Sequence, residues 1–338
     1  MESHLQNKRK MTILKEKTKE KIMKQLRYGI LSTSSIAPRF IAAVREAKAG
    51  KIVALSSRTL EKARAKAAAW DIPTAYGSHE ELLRDPNVEI VYISTVNSLH
   101  YRWAKAALES GKHVVCEKPC TTSEAHSREL FKLAREKGLF LMEAEKMLFL
   151  PAILELKESI ESGKLGDIHM AELGCSFKAT YNNWMFDREA GGGPLLSSGI
   201  YAVQLLQFLF GEIESIQGIK SSVENGLEWQ YVLSGATKSG VLFNIKNSTR
   251  AVLDNNARIF GTNGWAEIPE YWKARKVTYH IDGTAETKEF PCQYELMYEA
   301  SHIARCMEQK LLTSPVVTEE ITAGGIAALE QVIRGWEK

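Results

Sequence analysis

The sequence predicts an α/β protein in two parts. The first is built on a doubly wound parallel sheet, and the second is an α+β region with a large, mostly antiparallel sheet. Three observations predict it. Short apolar runs alternate with helical stretches between residues 28 and 142. Beyond Pro151, strand-like runs follow one another with few helices between them. The length of 338 residues, at about 150 residues per domain, suits two domains.

Residues 28–31 form a short apolar run that breaks at Ser32-Thr33-Ser34-Ser35. Ile36, Phe40, Ile41 and Val44 then recur at helical spacing, and Gly50 stops that helix. Residues 52–55 are the next strand, and the Ala-, Lys- and Arg-rich stretch 61–70 the next helix. Ser78, with Glu81 three residues on, opens a short helix as a capping box. A buried strand over 88–93, a helix over 101–108 and a strand over 113–116 follow. Thr121 and Glu124 make a second capping box before a helix over 125–137, which Gly138 ends, and residues 139–142 close the series. Strands alternating with helices imply a parallel sheet covered on both faces. Such sheets bind ligands beyond the carboxyl ends of their strands.

In the second half, helices are expected over 153–162, 200–210, 296–309 and 319–336. Strands are expected over 168–177, 213–220, 229–234, 241–245, 257–260 and 276–280. Successive strands favour antiparallel pairing. Gly191-Gly192-Gly193-Pro194 is a sharp loop leading into the helix that begins at Ile200.

Hydrophobic residues make up 44% and charged residues 25% of the chain, the ordinary globular balance, which excludes collagen-like and wholly disordered chains. No apolar run reaches the ~20 residues that span a bilayer. The net charge of +3 is local, because residues 1–27 hold nine basic and three acidic side chains. A mildly acidic body with a basic tail is a poor nucleic-acid surface. Residues 1–25 are expected to be a disordered extension, since they lack the apolar centre of a secretory signal. Five scattered cysteines with no C-x-x-C pair point to a reducing, cytoplasmic setting. The histidines show no ligand spacing, so no metal site is expected.

Four polar clusters close four predicted strands: Ser32-Thr33-Ser34, Ser57-Arg58, Thr95-Val96-Asn97 and Glu117-Lys118-Pro119. A dinucleotide turn usually reads G-x-G-x-x-G/A, so that backbone can approach a pyrophosphate at a helix N-terminus. Here Ser32, Ser34 and Ala37 hold those positions. The small size survives and hydroxyls are gained, but a residue held at positive φ is strained without glycine. The alternative is an ordinary strand-to-helix turn with a serine cap. Arg58 ends the second strand where an acidic residue would grip a ribose hydroxyl, and Arg there accommodates a 2′-phosphate, favouring NADP(H) over NAD(H). In Glu117-Lys118-Pro119, the proline biases Lys118 towards extended geometry. A desolvated ammonium there has a lowered pKa and can take part in proton transfer.

These residues carry a family resemblance. Residues 29–37, 95–100 and 107–119, with Gly191-Gly192-Gly193-Pro194-Leu195-Leu196-Ser197-Ser198-Gly199-Ile200-Tyr201, resemble the glucose–fructose oxidoreductase/inositol dehydrogenase/rhizopine-catabolism (Gfo/Idh/MocA) family. Within it the chain looks closest to the dihydrodiol and D-xylose dehydrogenase branch. The resemblance implies a Rossmann domain over 26–146 and a C-terminal α+β domain over 147–338. The latter would carry an open-faced sheet whose exposed side forms a homodimer interface. It also implies hydride transfer between NADP(H), or NAD(H), and a hydroxyl or carbonyl of a sugar, cyclitol or diol. Lys118 matches the catalytic lysine, and Tyr201 the Tyr or His that helps move the substrate proton, provided the Lys118 charge lowers its phenol pKa. Ser32, Thr33, Ser34, Ile36, Ser57, Arg58, Thr95, Val96, Asn97, His100, Glu117 and Lys118 are the expected cofactor-binding residues.

Two departures bear on the substrate. Family members commonly have Asp where Ser197 stands, and serine supplies no negative charge. Met185 follows Trp184 where Arg is frequent, which removes a fork of donors. Candidate substrate contacts are Trp184, Ser197 and His302; Trp184, Phe186 and Tyr181 offer an apolar wall, while His302 either faces the pocket or packs in the core. A catalytically weak, cofactor-binding regulator is the alternative reading, and a reductase of large conjugated substrates a third. Lys118 and Tyr201 argue against the regulator, because a sensor needs no proton-transfer pair.

Overall fold

The computed structural model describes residues 25–179, 184–222 and 225–337. Residues 1–24 of the expected tail, and Tyr181, lie outside the described residues.

Apolar runs in the first part become β1 (Arg27–Leu31), β2 (Lys51–Ser56), β3 (Thr74–Tyr76), β4 (Ile90–Ile93), β5 (His113–Glu117) and β6 (Leu141–Ala144). Between them run α1 (Ala37–Glu46), α2 (Leu60–Ala69), α3 (His79–Arg84), α4 (His100–Glu109) and α5 (Glu124–Lys137). The strands lie in the order β3-β2-β1-β4-β5-β6, and every pair is parallel. The order reverses between β1 and β4, which opens a crevice at their carboxyl ends.

Period-2 alternation covers both faces of this sheet. Tyr28, Ile30, Ile90 and Tyr92 face a core shared with the second sheet. Leu31, Val91 and Ile93 face a separate core under α4 and α5, with Trp103 and Phe131. Phe40 of α1 is fully buried and stacks on Tyr92 at 3.7 Å between centroids, a burial worth about 1.5–3 kcal/mol.

Caps follow the sequence in one case and not in the other. Ser78 Oγ accepts from the Glu81 backbone N–H at 3.2 Å. Thr121 does not cap α5. Its hydroxyl donates to the Ser123 carbonyl at 2.6 Å, closing a turn, and Ser123 is the N-cap. β3 was not expected from the sequence, since three residues are too short to show a period.

The second sheet comprises β7 (Ile168–Ser176), β8 (Ile213–Ser222), β9 (Glu228–Thr237), β10 (Leu242–Ser248), β11 (Asn256–Gly261), β12 (Gly264–Pro269), β13 (Lys276–Ile281) and β14 (Thr284–Glu289). Their order is β14-β13-β12-β11-β7-β10-β9-β8. Pairing is antiparallel except between β7 and β10. β12 and β14 escaped the sequence reading: the first runs from a glycine to a proline, and the second is a polar, exposed edge. One face buries Leu173, Leu233, Phe243 and Ile259. The other exposes Met170, Ile219, Val232 and Leu242.

Four helices complete the second part: α6 (Pro151–Glu161), α7 (Ile200–Phe210), α8 (Leu296–Glu308) and α9 (Glu319–Trp336). α8 returns to pack on α1, and α9 packs on α5, α7 and β8. Tyr28, Phe40 and Tyr92 thereby share one continuous core with Leu173, Ile259 and Tyr271. The carboxyl edge of the parallel sheet faces the start of α7 across this seam.

Candidate active site

A cleft of about 950 Å³ opens at the carboxyl ends of β1, β2, β4 and β5, near the upper end of the ~300–1,000 Å³ usual for ligand sites. All four polar clusters contribute walls: Ser32, Thr33, Ser34 and Ile36; Ser57 and Arg58; Thr95, Val96, Asn97 and His100; Glu117 and Lys118. Trp184, Met185, Ser197, Ser198 and Tyr201 close it from the second part of the chain.

The first turn keeps the geometry of a glycine turn without the glycine. Ser32 sits at φ +108°, a conformation that costs a side-chain-bearing residue about 1–3 kcal/mol. Ser34 does not cap α1. Its hydroxyl donates to Ser94 Oγ at 2.8 Å, and the N-cap, Ile36, makes no side-chain cap bond. The serine-cap alternative therefore fails: Ala37 N–H donates to the Ser34 carbonyl at 3.3 Å, Pro38 has no N–H, and Arg39 N–H donates to the Ile36 carbonyl at 3.0 Å. Thr95 Oγ1 is buried and unpartnered on the opposite wall. A turn of small residues with Ser32 at positive φ and an unused buried hydroxyl on Thr95 fit a dinucleotide.

Three cations gather at the end of β2. Arg58, Lys62 and Arg102 all line this end of the cleft, the last from α4. Burial first, then the Arg102 and Arg58 charges, push the His79 imidazole below its ordinary value against the opposite pull of Glu80. Both guanidinium groups therefore face one small region. Arg102 also lies 3.9 Å from Glu80 and 4.7 Å from the Trp103 ring centroid. Lys62 and Arg102 were missed in the sequence. Lys62 is one turn beyond Arg58 on α2, but nothing local predicts that α4 reaches the same spot.

Lys118 leaves β5 at a cis peptide bond to Pro119. Its ammonium donates to the Ser197 carbonyl and lies 4.2 Å above the centroid of the Tyr201 ring. Burial lowers the Lys118 pKa, while Glu117, Glu145 and Glu143 pull it back up. The expected lowering of Tyr201 is overturned. Burial raises its phenol well above 10, and Glu145, Glu117 and Glu299 add to the rise. The ammonium touches the ring face, so its charge does not outweigh that burial. Tyr201 is a neutral donor. Glu117 accepts from the Tyr92 hydroxyl at 2.5 Å, which fixes the residue before the lysine.

Several expected contacts turn out to hold the walls together. Asn97 Nδ2 donates to the Gly191 carbonyl at 2.9 Å, and Ser98 N–H to Ala190 at 3.1 Å. These bonds lash the glycine loop to the end of β4. Gly193 has φ +110°, and a Cβ there would meet Glu228 Oε1 at 2.7 Å. Glu228 in turn accepts from Leu195 N–H at 2.6 Å. The loop does not run straight into α7, as the sequence suggested. A π-turn, Leu195–Gly199, intervenes and aims the Ser197 carbonyl at Lys118. The Ser197 hydroxyl is spent on Gly193 O at 2.9 Å. His100 is buried between the Pro119 and Thr95 carbonyls, at 2.8 and 3.0 Å, and braces the lysine's turn.

His302 is not at the cleft. It is 4% exposed, bonded to Ser314 Oγ at 2.8 Å and packed on the Phe149 ring. Its helix turns that face into the shared core. Phe186 packs inward on Trp229, so Trp184, Met185 and Phe177 form the described apolar wall. Among the described residues, no group of three His, Cys, Asp or Glu is arranged to hold a metal ion.

Comparison with known proteins agrees with this geometry. Residues 26–145 match the model of an oxidoreductase family with an NAD-binding Rossmann fold, and 153–267 the C-terminal domain of the same family. The chain is 35% identical over 307 residues to mouse trans-1,2-dihydrobenzene-1,2-diol dehydrogenase, covering 86% of this chain and 91% of that one. The human protein of that name is 33% identical over 308 residues, with the same coverage of 86% and 91%. A 3-ketoreductase from Actinomadura kijaniata, solved with NADP and TDP-benzene, superposes with a TM-score of 0.85 at 21% identity, over 92% of this chain and 98% of that one. An aldose-aldose oxidoreductase from Caulobacter crescentus gives 0.85 at 24% identity, over 93% and 98%. Polar strand ends around one cleft, a lysine at its crest and matches along both parts of the sequence lead to one conclusion: the chain belongs to the Gfo/Idh/MocA family of NAD(P)-dependent oxidoreductases.

Proposed function

We propose that this enzyme transfers hydride between NADP(H) and a hydroxyl or carbonyl carbon of a sugar, cyclitol or diol, with Lys118 and Tyr201 handling the proton. The observation that carries the reading is the Lys118 ammonium, held in the cleft between the Ser197 carbonyl and the Tyr201 ring. In the oxidation direction bound NADP would supply the hydride acceptor, and the carbinol would also give up a proton from its hydroxyl. Lys118 receives that proton as a neutral amine, and its burial-lowered pKa raises the fraction in that form. Tyr201 keeps its own proton and donates a hydrogen bond to the substrate oxygen. In reduction the same lysine returns the proton to the alkoxide.

The first turn and the Thr95–His100 segment would hold the dinucleotide. Arg58, Lys62 and Arg102 support NADP(H) over NAD(H), because a 2′-phosphate supplies an anion to a cluster of three cations that Glu80 meets only at Arg102. Lys118→Met is the test of the proton role. We expect kcat to fall about 10²–10⁴-fold, with NADPH affinity and circular dichroism near wild type. A fall of less than threefold would remove Lys118 from the chemistry.

The reading extends to domain limits of 26–146 and 147–338 and to a homodimer through the open sheet. Met170 pairs with Leu242, and Ile219 with Val232, along its exposed face. A monomeric mass by light scattering at micromolar concentration would refute the dimer. A reducing, cytoplasmic location is supported by five free cysteines, and no described helix is long and apolar enough to cross a membrane.

A further inference from the structure

We propose that Lys146 and Arg39, tied together by Glu295, form an anion subsite beside the Lys118–Tyr201 pair, and that the enzyme prefers substrates carrying a carboxylate. This rests on the oxidoreductase reading above and names its substrate class.

Lys146 follows β6, is only 9% exposed and lines the cleft. Its ammonium donates to the Trp272 carbonyl at 2.5 Å and lies 3.9 Å from Glu295 Oε1. It also stands 5.7 Å from the centroid of the Tyr201 ring, over which Lys118 lies at 4.2 Å. Two ammonium groups thus share one phenol ring. Moving a single substrate proton requires one of them. Arg39 reaches the same cleft from α1 and ion-pairs with the same Glu295. One carboxylate facing two cations leaves a positive charge over. An ammonium taken so far out of water persists only with a compensating anion.

Among nearby carboxyl groups, Glu117 lines the same cleft and faces both Lys118 and Lys146, but it accepts from the Tyr92 hydroxyl and the Lys118 backbone N–H, and burial raises its pKa. Glu299 is fully buried with both side-chain oxygens unpartnered, and burial, then Glu117 and Glu145, hold its pKa well above the ordinary value. Burial likewise raises Glu145 to about 8. Position 197, where a carboxylate would counter these cations, carries a serine whose hydroxyl is turned onto Gly193 O. A ligand carboxylate would add negative charge on the Lys146–Arg39 side, where Glu295 is the carboxylate within ion-pair distance of both cations.

Distance narrows the ligand. Lying 4.2 and 5.7 Å from one centroid, the two ammonium groups are at most about 10 Å apart. A hydrogen bond of about 2.8 Å at each end leaves up to ~4–5 Å between the reacting hydroxyl and an anionic oxygen. That span suits a carboxylate a few carbons from the carbinol, as in uronic and aldonic acids. It is too short for a nucleotide-linked phosphate several bonds away.

Affinity tests this without needing turnover. The NADP-loaded enzyme is titrated with D-glucuronate and with D-glucose, following tryptophan fluorescence, because Trp184 lines the cleft. We expect the acid to bind at least tenfold more tightly. Lys146→Met should bring the acid-to-neutral ratio close to one, Lys146→Arg should retain most of it, and Arg39→Gln should lower it several-fold. Equal affinity for the two probes would overturn the proposal. So would a Lys146→Met variant, folded by circular dichroism, that weakens NADP binding and leaves the ratio alone, since the cation would then serve the cofactor. Failure of the oxidoreductase reading is seen separately, as no change in reduced-cofactor absorbance with any substrate.

Discussion

Cofactor choice offers the sharpest quantitative test. Arg58, Lys62 and Arg102 converge at the end of β2 from the turn after β2, from α2 and from α4. A hydrogen bond to a charged group contributes about 1.5–3 kcal/mol net, and each 1.4 kcal/mol is a factor of about ten in affinity. Arg58→Ala should therefore weaken NADP binding about 10- to 100-fold. Arg102 already shares its charge with Glu80 and its plane with Trp103, and its side chain is 66% exposed. Its removal should cost less, about three- to tenfold, and more at low salt than at high salt. NAD lacks the 2′-phosphate, so its affinity should stay within about twofold in either variant. The assay is parallel titration of NADP and NAD, each at low and high ionic strength. A second readout is the His79 imidazole, which those two guanidinium groups now help hold below its ordinary value. A bound phosphate neutralises them, so NADP but not NAD should raise the His79 pKa by NMR. Equal losses for the two cofactors, or an identical His79 response, would refute the assignment.

Two further predictions concern stability. Burial lifts Glu145 from 4.5 to about 8, so the folded protein keeps a proton that the unfolded chain releases, and stability falls as pH rises between about 4.5 and 8. Glu145→Gln should flatten the decline of the unfolding free energy over pH 5–8 by up to ~1.4 kcal/mol per pH unit, read from denaturant unfolding; superimposable profiles would show that Glu145 ionises freely in the native state. Ser32 is held at φ +108°, so Ser32→Gly should gain about 0.5–1 kcal/mol in denaturant unfolding, strain relief exceeding the extra entropy of the unfolded chain; a loss would mean the serine side chain makes good its own strain.

Much of the molecule follows from local chemistry. Apolar runs of four to six residues separated by capped helices specify the parallel sheet, because period-2 and period-3.6 burial cannot be exchanged. The helix over Ile200–Phe210 and the one over Glu319–Trp336 announce both ends through glycine, threonine and acidic residues. Each polar strand end reaches the cleft because a doubly wound sheet delivers all its carboxyl ends to one edge. Lys118 belongs to this legible set.

The rest depended on segments meeting across the fold. His302 carries the same local signal as a catalytic histidine, yet the packing of α8 turns it towards Phe149 and Ser314. Tyr201 has the right identity, but its ionisation is decided by burial first and then by Glu145, Glu117 and Glu299, which the fold gathers around it. Arg39, Lys146 and Glu295 lie more than 100 residues apart at their widest separation in the sequence, and no spacing rule could group them. Periodicity and capping act over a few residues and so fix elements and their order. Charge balance and side-chain direction act through space, so only the folded chain decides which cations and carboxylates meet.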